Sequence, residues 1–199
     1  MLDNFLSSFS QVVDAGMLHY KLVLYIIAGL WAIHLLNVIS GLRLSKFGII
    51  PRNAIGLPGI AFSPFLHGSF DHLICNSIPL FLLLFLLLPL GVEKFVIISL
   101  LIIGISGLGI WLLGRKAIHI GASSLILGYW GYVLTNAVVH PSSMTIILAI
   151  LCVFYLGSMF SNIFPSSKKV SWEGHLIGLL SGIAVALIYM PPVLSSVTH

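Results

Sequence analysis

Runs of apolar residues, each about 20 residues long, recur along the whole chain and restrict what it can fold into. Of its 199 residues, 59% are hydrophobic and only 7% are charged. Soluble domains usually carry about 25% charged residues, whereas about 20 apolar residues in a row form a helix that spans the hydrocarbon core of a bilayer. The sequence therefore predicts an integral membrane protein without a separate soluble domain.

Six apolar segments are expected to be membrane-spanning helices, because backbone groups in lipid must satisfy their hydrogen bonds within the protein. They cover residues 22–41, 66–90, 95–113, 121–139, 144–164 and 173–190. Most connections are short, which favours one antiparallel bundle. The first connection is long, rich in Gly and Pro and still apolar, so we expect part of it to lie at the membrane interface.

The predicted organisation has three parts. A short N-terminal extension (1–21) precedes the six-helix membrane domain (22–190), and a short C-terminal tail (191–199) follows it. The N-terminal residues lack the basic region and cleavage site of a signal peptide. This compact form without a targeting extension is typical of a protein of the bacterial plasma membrane.

Charge and cysteine content argue against a nucleic-acid-binding protein and against a disulfide-stabilised fold. The formal charge of +4 comes from nine basic residues that are spread among the loops, which argues against a nucleic-acid partner. Cys75 and Cys152 lie within apolar segments, so they are expected to be free, buried thiols and not part of a disulfide framework. The oligomeric state is not determined by these features.

Five polar side chains stand near the starts of the even-numbered segments: His67, His72, Asn76, Ser123 and His175. Even-numbered segments run in the same direction, so their starts lie on one side of the membrane. The i, i+4 spacing of His72 and Asn76 puts them on one helix face. Because polar groups within a membrane usually face the bundle interior or a wet cavity, the pattern predicts a water-accessible pocket there.

Glycines predict that the fourth and sixth segments pack closely. The fourth carries Gly121, Gly128 and Gly131, and the sixth carries Gly174, Gly178 and Gly182. Small residues at such spacing let membrane helices approach each other, as a short contact between a serine and a histidine on these helices requires.

Ser123 and His175 are candidates for a catalytic dyad. A serine hydroxyl becomes an effective nucleophile when a base lies within hydrogen-bond reach, and histidine can accept that proton and return it to the leaving amine. The side chains of Asn76 and His72 and the backbone N–H of Ser123 could stabilise the resulting oxyanion. Glu173 would point away from His175 on a helix, so a dyad is expected instead of a triad.

Three motifs in register resemble those of the rhomboid family of intramembrane proteases. Residues 67–76 (HGSFDHLICN) resemble the H-x4-H-x3-N pattern of the second helix. Residues 121–124 (GASS) resemble the G-x-S-G nucleophile motif, and residues 174–182 (GHLIGLLSG) resemble the sixth-helix pattern of a base histidine followed by glycines.

This resemblance implies an all-α, six-transmembrane-helix rhomboid-like bundle. It also implies a serine endopeptidase that cleaves membrane-anchored proteins within or near their transmembrane segments, with no metal or cofactor. Ser123 would be the nucleophile and His175 the base, with Asn76, His72 and the backbone of Ser123 binding the oxyanion. The structural residues near the site would be His67, Gly121, Gly178 and Gly182.

The chain departs from the family pattern at two positions. Family members usually have glycine after the nucleophile, where this chain has Ser124, and often an aromatic residue where it has Leu127. Ser124 could crowd the oxyanion site, and Leu127 could leave the base imidazole less firmly oriented. Neither change removes a reacting group, so altered or reduced activity is expected and not its loss.

Other functions fit the sequence less well. A non-catalytic rhomboid-like protein that binds transmembrane clients would share the fold, but such relatives typically lack the serine, the histidine or both. Haem or metal binding would need facing histidines at matched depth, and the zinc motif H-E-x-x-H is absent. A transporter would carry charges in its spans and show repeated halves. The histidines expected to be interfacial or solvated are His34, His119, His140 and His199.

Charge and family resemblance predict opposite membrane orientations. The loops after the first, third and fifth segments contain seven Lys and Arg, and the opposite side of the membrane has two. The positive-inside rule therefore places those three loops, and the mouth of the site, in the cytoplasm. The resemblance implies that the site opens outward. We expect this orientation, because a long first loop that folds against the bundle is not a free topology signal.

In a cysteine-free background, Lys168→Cys should react with an impermeant reagent from the non-cytoplasmic side. Labelling only from the cytoplasm would contradict this orientation.

Overall fold

A computed structural model describes residues 2–157 and 171–189, which are mainly helical and contain no β-strand. Seven α-helices follow one another in this part of the chain: α1 (Leu2–Ile39), α2 (Gly59–Phe62), α3 (Phe70–Leu87), α4 (Val92–Leu113), α5 (Ser123–Val139), α6 (Ser143–Leu156) and α7 (Trp172–Ile188). Only α2 is a single turn. The first connection also contains three short 3-10 turns, and a fourth follows α3 at Leu88–Leu90.

The first helix is much longer than the apolar segment that predicted it. α1 begins at Leu2 and not near residue 22, because no proline interrupts residues 2–39 and helix formation does not require an apolar sequence. Residues 2–21 are therefore the first half of α1. The end of the segment predicted at 144–164 and the tail at 191–199 lie outside the described residues.

Three helices of the described chain are long and apolar enough to cross a membrane: Val13–Ile39, Phe70–Leu90 and Val92–Leu113. The protein is therefore an integral membrane protein. At 1.5 Å per residue, the 17 residues of α5 and of α7 each extend about 26 Å, slightly less than the hydrocarbon core of about 30 Å. Six spans remain a prediction.

α5 lies at the centre of the bundle, in contact with α3, α4, α6 and α7. Every residue from 125 to 133 is buried, and so is Asn136. The outer helices, by contrast, expose large apolar side chains such as Leu36 on α1 and Leu100 on α4. The helix that starts with Ser123 is thus enclosed by protein, while lipid would surround its neighbours.

Glycines bring the backbones of α5 and α7 into direct contact. A methyl group added at Gly178 would overlap the backbone of Ser124, and one at Gly182 would overlap the backbone of Gly128. A methyl group at Gly131 would lie 2.5 Å from the carbonyl oxygen of Leu179. The close approach that the glycine pattern predicts is present along this interface.

The first connection folds against the end of α4. The guanidinium of Arg52 donates hydrogen bonds to the carbonyls of Leu112 at 2.8 Å and Gly114 at 2.9 Å. Ile49 and His119 exchange two backbone hydrogen bonds of 2.9 Å. The connection nevertheless exposes the large apolar side chains Phe47, Ile55, Leu57 and Phe62, as expected for a segment at a membrane interface.

The two cysteines differ in burial. Both thiols are free and Cys152 is buried, but Cys75 is exposed, so the expectation that both are buried is wrong for Cys75. Cys75 lies on the outer face of α3 beside Ile74 and Ile78, which are also exposed. In a membrane protein an apolar side chain can be placed against lipid as well as in the core, and hydropathy does not distinguish the two.

The glycine interface can be tested with a matched pair of substitutions. Gly182→Ala should lower the free energy of unfolding by about 1–3 kcal/mol or more, because the added methyl group meets backbone that cannot move aside. Gly104→Ala on α4 adds the same methyl group where nothing lies within 4 Å, and it should raise stability by up to about 1 kcal/mol. Unfolding in detergent measures both; equal effects would contradict the packing described.

Candidate active site

Ser123 is the first residue of α5 and is half-buried. The turn before it contains Gly121, which has a φ of +118° and whose backbone N–H donates to the carbonyl of Ser63 at 2.9 Å. The first backbone N–H groups of a helix have no partner within the helix, and the helix dipole favours negative charge there. The start of α5 at Ser123 is therefore a position that favours negative charge.

His72 and Asn76 of α3 lie against the turn that precedes Ser123. A Cβ atom on Gly121 would be 2.5 Å from Cε1 of His72 and 3.5 Å from Nδ2 of Asn76. Glycine is required here both for the positive φ and for this close approach. The structure thus brings the polar residues of the second segment to the turn before Ser123, as their shared side of the membrane predicts.

The start of α3 is held by a side-chain cap. The hydroxyl of Ser69 accepts a hydrogen bond from the backbone N–H of His72 at 3.2 Å, which satisfies one of the free donors of the helix start. The cap fixes where the first turns of α3 begin. His72 and Asn76, four residues apart, consequently face Gly121 together.

His67 precedes α3 and is completely buried. Its Nε2 lies 3.1 Å from the amide Nδ2 of Asn76, and its ring meets that of His72 edge-on with centroids 5.1 Å apart. Burial, together with the nearby imidazoles of His72 and His34, lowers the pKa of His67 from 6.5 to about 3. The ring is therefore neutral, which lets Nε2 accept a hydrogen bond from Asn76.

His175 lies in the first turn of α7 and is buried. Its backbone N–H donates to the carbonyl of Ser171 at 3.2 Å, and its imidazole is near enough to that of His72 for their charges to interact. One turn later, Gly178 presses against the backbone of Ser124. The first turns of α5 and α7 therefore meet, with His72 beside both.

Two contacts fix the start of α7 to the connection between α4 and α5. The ring of His119 lies 2.9 Å from the hydroxyl of Ser171, and the guanidinium of Arg115 lies 3.6 Å from the carboxylate of Glu173. Glu173 thus pairs with Arg115. These contacts hold the turn that carries His175.

Two histidines expected to be interfacial or solvated are buried instead. His34 is fully buried and its Nδ1 lies 3.2 Å from the carbonyl oxygen of His67. His119 is 7% exposed and both its ring nitrogens have protein partners. Protein groups hydrogen-bond to these rings near the segment ends, where hydropathy suggests water, although Nε2 of His34 is buried without a hydrogen-bond partner among the described residues. His140 is exposed, as expected, and His199 lies outside the described residues.

Both positions that depart from the family pattern lie in the first half of α5. Ser124 is half-buried, and its backbone is the part of α5 that Gly178 contacts. Leu127 is 1% exposed.

Among the described residues, no group of three or more His, Cys, Asp or Glu side chains is arranged to hold a metal ion.

Comparisons with known proteins find a matching family model and several similar chains. The family model described as Rhomboid domain matches residues 56–192. Uncharacterized proteins of Mycobacterium bovis and Mycobacterium tuberculosis are each 34% identical over 179 residues, which cover 85% of this chain and 75% of theirs. An uncharacterized protein of Mycobacterium leprae is 30% identical over 179 residues, covering 85% of this chain and 71% of its own.

The burial of His67 predicts that it does not titrate in the ordinary range. Because its pKa is lowered to about 3, the ring should stay neutral between about pH 8 and pH 5, where an ordinary histidine gains a proton. Nitrogen NMR of histidine-labelled protein measures this directly, with the His67 signal assigned by its loss in a His67→Gln variant. A His67 midpoint near pH 6.5 would contradict the buried, acceptor role of its ring.

Proposed function

Since this chain belongs to the rhomboid family, we propose that it is an intramembrane serine endopeptidase with a Ser123–His175 dyad. Its substrates are membrane-anchored proteins, which it cleaves within or near their transmembrane segments. The family membership and the apolar helices support a multi-pass protein in the bilayer. We further propose six spans and a place in a bacterial plasma membrane.

One observation carries the proposal: the turn at Gly121 is contacted by two of the polar side chains that the chemistry needs. His72 and Asn76 reach this turn from α3, and the glycine contact of α7 with Ser124 brings His175 to the same end of the bundle. Buried polar groups are costly within a membrane. Their convergence on one helix start is best explained by a reaction that takes place there.

The reaction begins with attack of the Ser123 hydroxyl on the carbonyl carbon of the scissile peptide bond. His175 accepts the hydroxyl proton as the C–O bond forms. The carbonyl oxygen becomes an oxyanion, which accepts hydrogen bonds from the amide of Asn76, the imidazole of His72 and the backbone N–H of Ser123.

The intermediate then collapses and the peptide C–N bond breaks. His175 donates its proton to the leaving amine, and an acyl-enzyme on Ser123 remains. His175 next takes a proton from water as the water oxygen attacks the ester carbonyl, and it then returns a proton to the Ser123 oxygen as the ester C–O bond breaks and the carboxylic acid product leaves. The half-buried position of Ser123 supports limited access by water, as this second step needs.

Ser124 and Leu127 modify this site without removing a reacting group. Ser124 places a hydroxyl next to the nucleophile, where family members usually have no side chain. Leu127 fills a buried position with an aliphatic side chain in place of an aromatic ring that could stack on the base. We therefore propose an activity that differs in rate or selectivity from that of relatives with the usual residues.

Cleavage of a panel of reporter transmembrane segments by the purified protein tests the proposal. Specific cuts should appear with the wild-type chain, and Ser123→Ala or His175→Ala should lower their rate by at least about 10³-fold, because dyad members act as a unit. Ser143→Ala and His140→Ala are matched controls, since Ser143 also begins a helix and His140 is exposed. These variants should retain full activity.

Two results would overturn the assignment. Cuts that persist in Ser123→Ala would mean that another nucleophile or a contaminant is responsible. If nothing is cut, while reporters co-purify equally with the wild-type and Ser123→Ala chains, the protein binds transmembrane clients without cleaving them.

A further inference from the structure

We propose that His34 and Asn37 of α1 are positioning residues that act through His67 on the amide of Asn76. This inference rests on the proposed function, because it assigns a task to Asn76 as an oxyanion donor. It concerns residues that neither the motifs nor the family comparison indicates. His34 and Asn37 lie in the first apolar segment, far in sequence from any of the three motifs.

The first step is a pair of hydrogen bonds to one carbonyl. The carbonyl oxygen of His67 accepts from Nδ1 of His34 at 3.2 Å and from Nδ2 of Asn37 at 3.3 Å. A carbonyl has two lone pairs, and both are used here by one helix. All three residues are 0% exposed, so water does not compete for these bonds.

The donors are themselves held in place. The amide of Asn37 also donates to the hydroxyl of Ser45 at 3.0 Å, and its oxygen accepts from the backbone N–H of Leu44 at 3.0 Å. The ring of His34 is fixed by Phe70, which it meets at 89° with centroids 4.7 Å apart. Neither donor can turn away from the His67 carbonyl without losing further contacts.

The second step runs from the ring of His67 to the site. Its Nε2 lies 3.1 Å from Nδ2 of Asn76. This Nδ2 atom of Asn76 is also 3.5 Å from the position that a Cβ atom on Gly121 would occupy. An amide nitrogen carries two hydrogens. One of them is donated to Nε2 of His67, and this hydrogen bond orients the second one. Because His67 connects to α1 through its carbonyl and to Asn76 through its ring, a shift of its backbone reorients the oxyanion donor.

Apolar contacts alone could attach α1 to the bundle. Val23 and Leu30 are buried in the same hydrophobic core as Leu73 and Leu80 of α3. Two polar residues in a membrane helix are costly, and a purely structural anchor would not need them. Their arrangement around a single carbonyl, one hydrogen bond away from Asn76, indicates a role in placing that side chain.

The kinetic test uses substitutions that keep or remove the donor. His34→Leu and Asn37→Leu should each lower kcat about 10- to 100-fold with little change in KM, because small errors in the position of a catalytic group reduce turnover strongly. His34→Asn should retain most of the wild-type kcat, since the asparagine amide can donate from near the position of Nδ1 of His34. Leu36→Ala, on the exposed face of α1, should leave kcat unchanged.

A double-mutant cycle separates positioning from general destabilisation. In an Asn76→Ala background, His34→Leu should have almost no further effect on kcat, because residues in one hydrogen-bond network couple. If the two losses multiply, or if His34→Asn is as slow as His34→Leu, the positioning role is wrong.

Nitrogen NMR of the His67 ring gives a readout that does not need activity. The hydrogen bond from Asn76 should shift the Nε2 resonance, and both Asn76→Ala and His34→Leu should move it toward the value of an unbonded ring. An unchanged resonance in folded His34→Leu protein would overturn the inference. If the wild-type chain cleaves nothing but the resonance responds as expected, the proposed function fails while the structural link remains.

Discussion

Two helices that touch through their backbones, α5 and α7, determine where the proposed dyad residues of this protein lie. Gly178 and Gly182 have no room for even one methyl group, so the separation of these helices is set by main-chain atoms and not by flexible side chains. In lipid there is no hydrophobic force between helices, and close packing of small residues takes its place. The first turns of the two helices, with Ser123 and His175, therefore have a fixed relation.

The remaining elements complete the site around this pair. α3 brings His72 and Asn76 to the turn at Gly121, which has the positive φ and the open space that this approach needs. The connection between α4 and α5 holds the start of α7 through Ser171 and Glu173. Each of these contacts occurs at a helix end, where unpaired backbone groups are available and the chain can change direction.

Much of this arrangement can be predicted from the sequence, because the relevant signals are local. The apolar segments indicate the long helices after the first, and the glycine spacing indicates which two approach closely. The shared direction of the even-numbered segments is enough to place His72, Asn76, Ser123 and His175 on one side. The features that escape prediction depend on tertiary contacts. Hydropathy cannot show that α1 begins at Leu2, that Cys75 faces outward, or that His34 and His119 are buried and hydrogen-bonded to protein groups.

Polar residues in α1 illustrate that limit. His34 and Asn37 are three residues apart, so they share one helix face, and this spacing is the only sequence signal of their role. Near the end of an apolar segment the same pattern is expected for residues that reach into water. The difference lies in the carbonyl of His67, which is brought to them by a connection of irregular turns that periodicity does not describe.

The length of α1 relates the site to the thickness of the membrane. The 27 residues Val13–Ile39 extend about 40 Å at 1.5 Å per residue, whereas the hydrocarbon core measures about 30 Å. Such hydrophobic mismatch is relieved by tilting the helix or by thickening the bilayer locally. Because the same helix holds the His67 backbone through His34 and Asn37, a change of its tilt between lipids of different chain length would also move the proposed oxyanion donor, Asn76.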